Sequence, residues 1–341
     1  MRYGHFIGRI LGVACWRVPN HRSYTQKSTL ATARRPQKHS VCFWCRYETQ
    51  DQVGGRVRSI VESNNSTRQP LELGASIIYK GNNLVINMAQ RAGLTVKEPS
   101  AGGTLLFALF NGRSLVFTQS PWSLITLIKL LWRYGFEYWR YKRVSLEMFQ
   151  RFSTIYTRLD AGISYDRPHE MLRDMQLYDL TQMSFQQFIQ ETMKKDSLFA
   201  KEFVAGVGKT NYDQSAMELN ALAGLVSLLP ATDGKVVHIA EGNQQLVSRT
   251  LSKANVTVFT GRPVDTITMV DKGHFVINHN KSYDAVVITA PLQMNPSIKF
   301  EGVDLPRIPR RNYKQVRVTI VEGSIRPTFF GLPPGMMPYR K

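Results

Sequence analysis

The stretch YETQDQVGGR, residues 47–56, brings together an acid, two adjacent glycines and an arginine. Glu48 follows the apolar run VCFWCRY and so closes a β-strand, where a carboxylate can accept hydrogen bonds from the hydroxyls of an adenosine ribose. Gly54 and Gly55 carry no Cβ, which lets a pyrophosphate approach the backbone. Arg56 can pair with phosphate oxygens. In this order these residue types are those of a dinucleotide site. A complete unit of this kind begins with a G-x-G-x-x-G turn about 20 residues before the acid. Residues 20–30 read NHRSYTQKSTL and hold no glycine. The expectation is a nucleotide-binding unit that lacks its first turn.

The elements that must position these residues follow from periodicity. VRSIVESNNSTRQPLELGASII gives two β-like runs around a polar loop, and the close approach of a ligand is expected at Gly74, Ala75 and Ser76. NNLVINMAQRAGL is a helix that Gly93 can cap. Residues 103–118 form a hairpin about Asn111-Gly112. PWSLITLIKLLWRYGFEYWRYKRV predicts a helix with Pro121 in its first turn. Lys129 interrupts its apolar part, which falls short of the ~20 residues needed to cross a bilayer. Its aromatic and cationic tail suits a membrane surface or a solvated helix end. Helices are expected at 145–159, 184–205 and 214–229. From residue 235 the pattern turns to short β runs, VVHIA, VTVFTG, VDTITMV, HFVINH and YDAVVITAP, with the helix NQQLVSRTLSKA between the first two. That order is a return to the nucleotide-binding domain.

Composition bounds the rest. A chain of 341 residues with 43% hydrophobic and 11% aromatic content is globular and long enough for two domains. The net charge of +19 is concentrated at the front, where Glu48 is the only acid in residues 1–50. The remaining excess is diffuse, the mark of a solvated surface and not of a nucleic-acid groove. Cys15, Cys42 and Cys45 cannot make a disulfide framework, and the C-x-x-C of Cys42 and Cys45 lies in a strand, where the two point to opposite sides. The first 40 residues, rich in Arg and Ser, fit an organellar transit segment or an aberrant first exon, the latter preferred. Gly206-Val207-Gly208-Lys209-Thr210 resembles the end of a phosphate loop, but the first glycine would fall at Phe203. Sequons at Asn64, Asn65 and Asn255 permit a secretory route. No His-rich or carboxylate cluster suggests a metal, and no catalytic acid–base pair stands out.

The constellation resembles the flavin amine oxidase superfamily and, within it, the prenylcysteine oxidases or farnesylcysteine lyases. The residues that carry the resemblance are VGGRV (53–57), LELGASII, NGRSLVF, IKLLWRYGF (128–136), KTNYDQSAMELNALAGLVSL (209–228), AEGNQQLVSRTL and YDAVVITAPL (283–292). IKLLWRYGF and TNYDQS with NALAG are the specific ones. Glu241-Gly242-Asn243 departs from the family's usual Gly-Gly-Asn.

The resemblance implies an α/β fold, an incomplete FAD/NAD(P)-binding Rossmann-like domain with an inserted, mainly helical substrate domain. Residues 41–100 and 231–295 would bind FAD, residues 101–230 the substrate, and 296–341 would begin a truncated C-terminal substrate region. The implied activity is FAD-dependent oxidation of a prenylcysteine thioether to cysteine, a prenyl aldehyde and hydrogen peroxide, with O2 as acceptor, in the breakdown of prenylated proteins. The alternatives are a non-catalytic truncated homologue or another flavin amine oxidase-type oxidoreductase. FAD is expected on Glu48, Gly54, Gly55, Arg56, Gly74, Ala75, Ser76 and Val264, the last at the adenine edge. Leu127, Leu131, Asn211 and Tyr212 are the candidates for the prenyl pocket. The implied compartment is the lysosome, vacuole or endomembrane system, or an organelle reached through the Arg/Ser-rich N-terminus.

Overall fold

Val, Ile, Thr and Phe dominate residues 256–288, and their β-branched and aromatic side chains favour a pleated backbone. The computed structural model, which describes residues 12–17, 43–61, 70–99, 107–192, 196–271, 273–292, 297–305, 307–309, 313, 316–321, 323 and 326–333, is a mixed α/β fold. It divides into two units, one from Met1–Ile78, Leu84–Lys97 and His238–Val318, the other from Tyr79–Asn83, Glu98–Val237 and Thr319–Lys341.

In the first unit one sheet has the order β10 (Thr257–Phe259), β2 (Phe43–Glu48), β1 (Gly12–Arg17), β14 (Ala285–Ile288). β10 runs parallel to β2, with Val258 opposite Arg46, as expected for strands joined through a nucleotide-binding domain. β1 is antiparallel to both its neighbours. Residues 12–17 fall in the first 40 residues, which the sequence marks as a disordered or aberrant segment; there the run GVACWR forms a strand between β2 and β14. The first strand of a nucleotide-binding βαβ unit runs parallel to the next. An antiparallel β1 therefore cannot deliver a phosphate-binding turn toward Glu48 in the usual way.

A second sheet has the order β13 (Lys281–Tyr283), β12 (His274–Ile277), β11 (Thr266–Asp271), β15 (Lys299–Glu301). Buried Tyr47, Val264, Ile267, Ile277 and Tyr283 pack together, and the Tyr47 and Tyr283 hydroxyls share a hydrogen bond of 2.8 Å. β3 (Ser59–Ile60) pairs antiparallel with β4 (Leu71–Glu72), as expected of the two β-like runs; the segment between them that holds Asn64 and Asn65 lies outside the described residues. α1 (Asn83–Arg91) ends at Gly93 as expected, and Ala89, Leu94, Ile239 and Leu246 form a small core with β6 (Val96–Lys97) and α9 (Gln244–Lys253). The chain crosses between the units five times, including within β5 (Ile78–Tyr79) and β9 (Val236–Ile239).

The second unit is mainly helical: a hairpin, β7 (Ala108–Phe110) and β8 (Leu115–Thr118), then α2 (Ser123–Tyr134), α3 (Glu137–Asp160), α4 (Pro168–Asp174), α5 (Tyr178–Gln182), α6 (Phe185–Thr192), a π turn over Ala200–Val204, α7 (Ala205–Tyr212) and α8 (Ala221–Asp233). The Asn111 side chain accepts from the N–H groups of Arg113 and Ser114, both at 2.9 Å, which fixes the hairpin turn. Its residues 103–106 lie outside the described ones. Pro121 does not enter the first turn of α2, because Trp122 is the N-cap. α3 begins at Glu137, eight residues before the helix expected at 145–159, since Gly135 with φ 60° breaks α2 and a new helix starts at once. The helix expected at 184–205 is not continuous: α6 ends at Thr192, and Ser197 starts the next helical run by accepting from the Ala200 N–H at 2.9 Å. α8 has a side-chain cap, Asn220 Oδ1 accepting from the Ala223 N–H at 2.9 Å. The core is aromatic, with Phe199 stacked on Phe203 at 4.6 Å between centroids and Tyr141, Phe185 and Leu228 buried nearby.

Candidate functional site

Glu48 ends β2 and is fully buried. Its Oε2 accepts from Arg46 Nη2 at 3.0 Å, while Oε1 has no hydrogen-bond partner. Burial raises the carboxyl above its ordinary pKa, and the Arg46 bond and charge pull it back only in part. The backbone around it is fixed by the segment that follows β10, where the Arg262 N–H donates to the Glu48 carbonyl at 3.0 Å and the Gly261 N–H to the Gln50 carbonyl at 2.7 Å. An unpaired acceptor in such a place costs free energy until a donor reaches it. A ribose hydroxyl is a donor of the right kind.

The chain then turns through Gly54 and Gly55, whose φ angles of 119° and 55° only glycine adopts readily. A Cβ on Gly54 would lie 2.5 Å from the Val57 carbonyl oxygen and 3.0 Å from Gln244 Cγ. The Val57 N–H closes the turn on the Gly54 carbonyl at 2.9 Å. The Arg56 side chain is exposed and free to meet an anion. Gly74, Ala75 and Ser76 form an exposed segment after β4. The close approach at Gly74 is to the protein's own backbone, since a Cβ there would stand 2.0 Å from the Arg56 carbonyl oxygen.

Sequence reasoning missed the residues that hold this arrangement. Asn243 is buried; its backbone N–H donates to Glu72 Oε1 at 2.8 Å, its Nδ2 to the Ala75 carbonyl at 2.7 Å, and its Oδ1 accepts from the Ile239 N–H at 2.9 Å. Gln244 spans the gap to the glycine turn. Its Nε2 donates to the Val53 carbonyl at 2.7 Å and its Oε1 accepts from the Ser59 N–H at 3.1 Å. Ser59 Oγ accepts from the Gln244 N–H at 3.1 Å and donates to Glu72 Oε2 at 2.7 Å, so both Glu72 oxygens are used. The only signal was the motif Glu241-Gly242-Asn243 itself. Its departure from the family pattern has a local explanation: Glu241 takes no positive φ, and its carboxylate accepts from Thr95 Oγ1 at 3.0 Å.

Val264 is buried in the core beside Tyr47. Leu127 and Leu131 lie exposed on α2, and Tyr212 is exposed at the end of α7. Asn211 Nδ2 donates to the Ser227 carbonyl on α8 at 3.0 Å. α2 packs on α3 and α7 on α8, so these packings do not bring the two pairs of pocket candidates together. Gly206 and Gly208 lie inside α7, which leaves no phosphate loop there. Cys45 is a free, half-buried thiol, and Cys42 lies outside the described residues. Among the described residues no three His, Cys, Asp or Glu side chains converge as a metal site.

The profile of the prenylcysteine lyase family matches residues 117–340, about two thirds of the chain. The chain belongs to this family. It is 29% identical over 301 residues to prenylcysteine oxidase 1 of Rattus norvegicus and 30% over 306 residues to that of Mus musculus, covering 82% and 84% of this chain. Farnesylcysteine lyase of Arabidopsis thaliana is 26% identical over 307 residues, 84% of this chain. The chain spans 57%, 58% and 58% of the length of these three relatives. Among solved structures, a putrescine oxidase bound to putrescine gives a TM-score of 0.46 at 17% identity, covering 76% of this chain and 55% of that one. A fatty acid isomerase from P. acnes gives 0.48 at 14%, with the same coverages. Both scores fall short of a shared-topology match, and membership rests on sequence.

Proposed function

We propose that this family member carries one wall of an FAD site and the helical part of an oxidase that cleaves prenylcysteine. The observation that carries the reading is the buried, unpaired Glu48 Oε1, followed in the chain by the Gly54-Gly55 turn. Glu48 would accept from the ribose, Gly54 and Gly55 would leave the backbone open to the pyrophosphate, and Arg56 would pair with it. Asn243 and Gln244 would keep the 53–59 and 72–75 segments in register while these groups bind. The bound flavin would supply a two-electron oxidation of the thioether carbon, with O2 as final acceptor. The balance is prenylcysteine, water and O2 to cysteine, prenyl aldehyde and hydrogen peroxide. The reaction class comes from the names of the relatives; a secretory or endomembrane compartment accords with the exposed sequon at Asn255.

The antiparallel β1 favours a second reading, a homologue that keeps the fold without retaining FAD. Mixing the purified chain with FAD, removing free flavin and recording the visible spectrum separates the two. Flavin bands with peroxide release on adding farnesylcysteine support the oxidase; a colourless protein supports the second reading. If flavin is retained, Gly54→Ala should lower its retention about tenfold or more without loss of far-ultraviolet circular dichroism, since the strained φ and the Val57 contact distort the turn by on the order of 1–3 kcal/mol.

A further inference from the structure

Helix α2 carries an apolar surface that no described residue covers. Leu124, Ile125, Leu127, Ile128, Leu131 and Trp132 are exposed, Trp132 at 87%, and only Leu130 and Tyr134 of the helix are buried. Trp122 before the helix is 73% exposed and Phe136 after it 77%. Aromatic rings at both ends of an apolar helix suit the boundary between headgroups and acyl chains. At 12 residues the helix is roughly 18 Å long, and among the described residues none is long and apolar enough to cross a membrane. Lying in the plane of an interface is the geometry left to it.

The charges on the helix and in the segment before it have one sign. No Asp or Glu occurs from Pro99 to Phe136, a span that holds Arg113, Lys129 and Arg133. Arg133 is committed to Glu202, with bonds of 2.8 and 2.6 Å, and Lys129 reaches back to the Thr118 carbonyl at 3.2 Å. Beyond the helix an open groove of about 760 Å³ is lined by Phe136, Trp139, Arg140 and Arg143, among others. Glu137 in its wall accepts from Ser197 Oγ, and Arg140 and Arg143 outnumber its charge there. Arg140 and Arg143 are exposed; Arg140 Nη2 donates to the Thr192 carbonyl at 3.1 Å, and Arg143 Nε stands 3.6 Å from Glu147.

We propose that α2 and this groove seat the protein on an anionic lipid surface, with the leucine, isoleucine and tryptophan side chains in the acyl boundary and Arg140 and Arg143 on phosphate headgroups. A second copy of the chain fits less well, because a two-fold pairing of this face would set the same cations against one another. An anionic bilayer meets both the apolar face and the charge.

The test is co-sedimentation of the full chain with phosphatidylcholine vesicles and with vesicles that also contain phosphatidylserine, with tryptophan fluorescence as a second readout. Neither flavin nor substrate is required, so the result is independent of the oxidase reading. Binding should be about tenfold stronger with phosphatidylserine and should weaken with salt. Leu124→Ser with Trp132→Ser should lower it by about tenfold or more, and Arg140→Gln with Arg143→Gln by about tenfold on the anionic vesicles alone. All four positions are exposed, and unchanged circular dichroism would show that the variants fold. No binding to either vesicle, equal binding to both, or binding that survives the Leu124 and Trp132 changes would overturn the proposal. So would a dimer in solution that those changes dissociate.

Discussion

The glycine turn of the first unit and the helical core of the second are held by opposite kinds of force. Around Gly54 and Gly55 the chain has little to bury, and its position is set by directional bonds from Asn243, Gln244, Ser59 and Glu72. Around Phe199 the chain is held by undirected aromatic packing, with Tyr134, Tyr138, Tyr141 and Phe203 all in ring contact. A polar clamp fixes where a backbone atom stands, which a nucleotide site needs. An aromatic core fixes only that a unit is folded, and it leaves helices such as α2 free to turn apolar side chains outward.

Phe199→Ala removes a fully buried ring and should cost about 3–5 kcal/mol in urea denaturation. If the first unit lost its structure to the same degree, the two would not be separate in stability. Asn243→Ala comes next, at about 2–3 kcal/mol, because it leaves the Ile239 N–H and the Ala75 carbonyl without their partner. Hydrogen exchange should quicken at Ile239 and leave the aromatic core of the second unit protected. Exchange that quickened throughout would erase the distinction.

The smallest effect is expected on the charged side of the helical unit. Arg133 hydrogen bonds hold the Glu202 carboxyl below the usual carboxylate range, despite partial burial. A depressed acid contributes stability that is present above its unfolded pKa and is lost as pH falls through the folded one. Glu202→Gln should therefore cost about 1–2 kcal/mol at neutral pH, and the gap between variant and parent should close in acid. A melting-temperature difference that did not change below about pH 4 would sink this assignment.

Much of the site could be read from residue order, because it is local. Glu48 at a strand end, the Gly54-Gly55 turn, the Asn111 hairpin and the helix closed at Gly93 each depend on neighbours a few residues away. The clamp could not be read that way. Gln244 meets Val53 and Ser59 across 191 and 185 residues, and no local pattern encodes such a pairing. The direction of β1 was hidden for a related reason: strand propensity says nothing about which way a strand runs. The exposure of Leu127 and Leu131 is a third case, since an apolar helix reads alike whether a core or a surface receives it.

Phe199, Phe203 and Val207 recur at every fourth position, and all three are buried. In an unbroken α-helix each four-residue step overshoots a full turn by about 40°, so these side chains would fan away from a single face. The π turn over Ala200–Val204 takes in an extra residue per hydrogen-bonded loop and absorbs that drift. Its consequence is one of phase. Chain length, counted in single residues, aligns the aromatic stack with the helix beyond it. A relative one residue shorter at this point would carry the whole of α7, Asn211 included, rotated by about 100°.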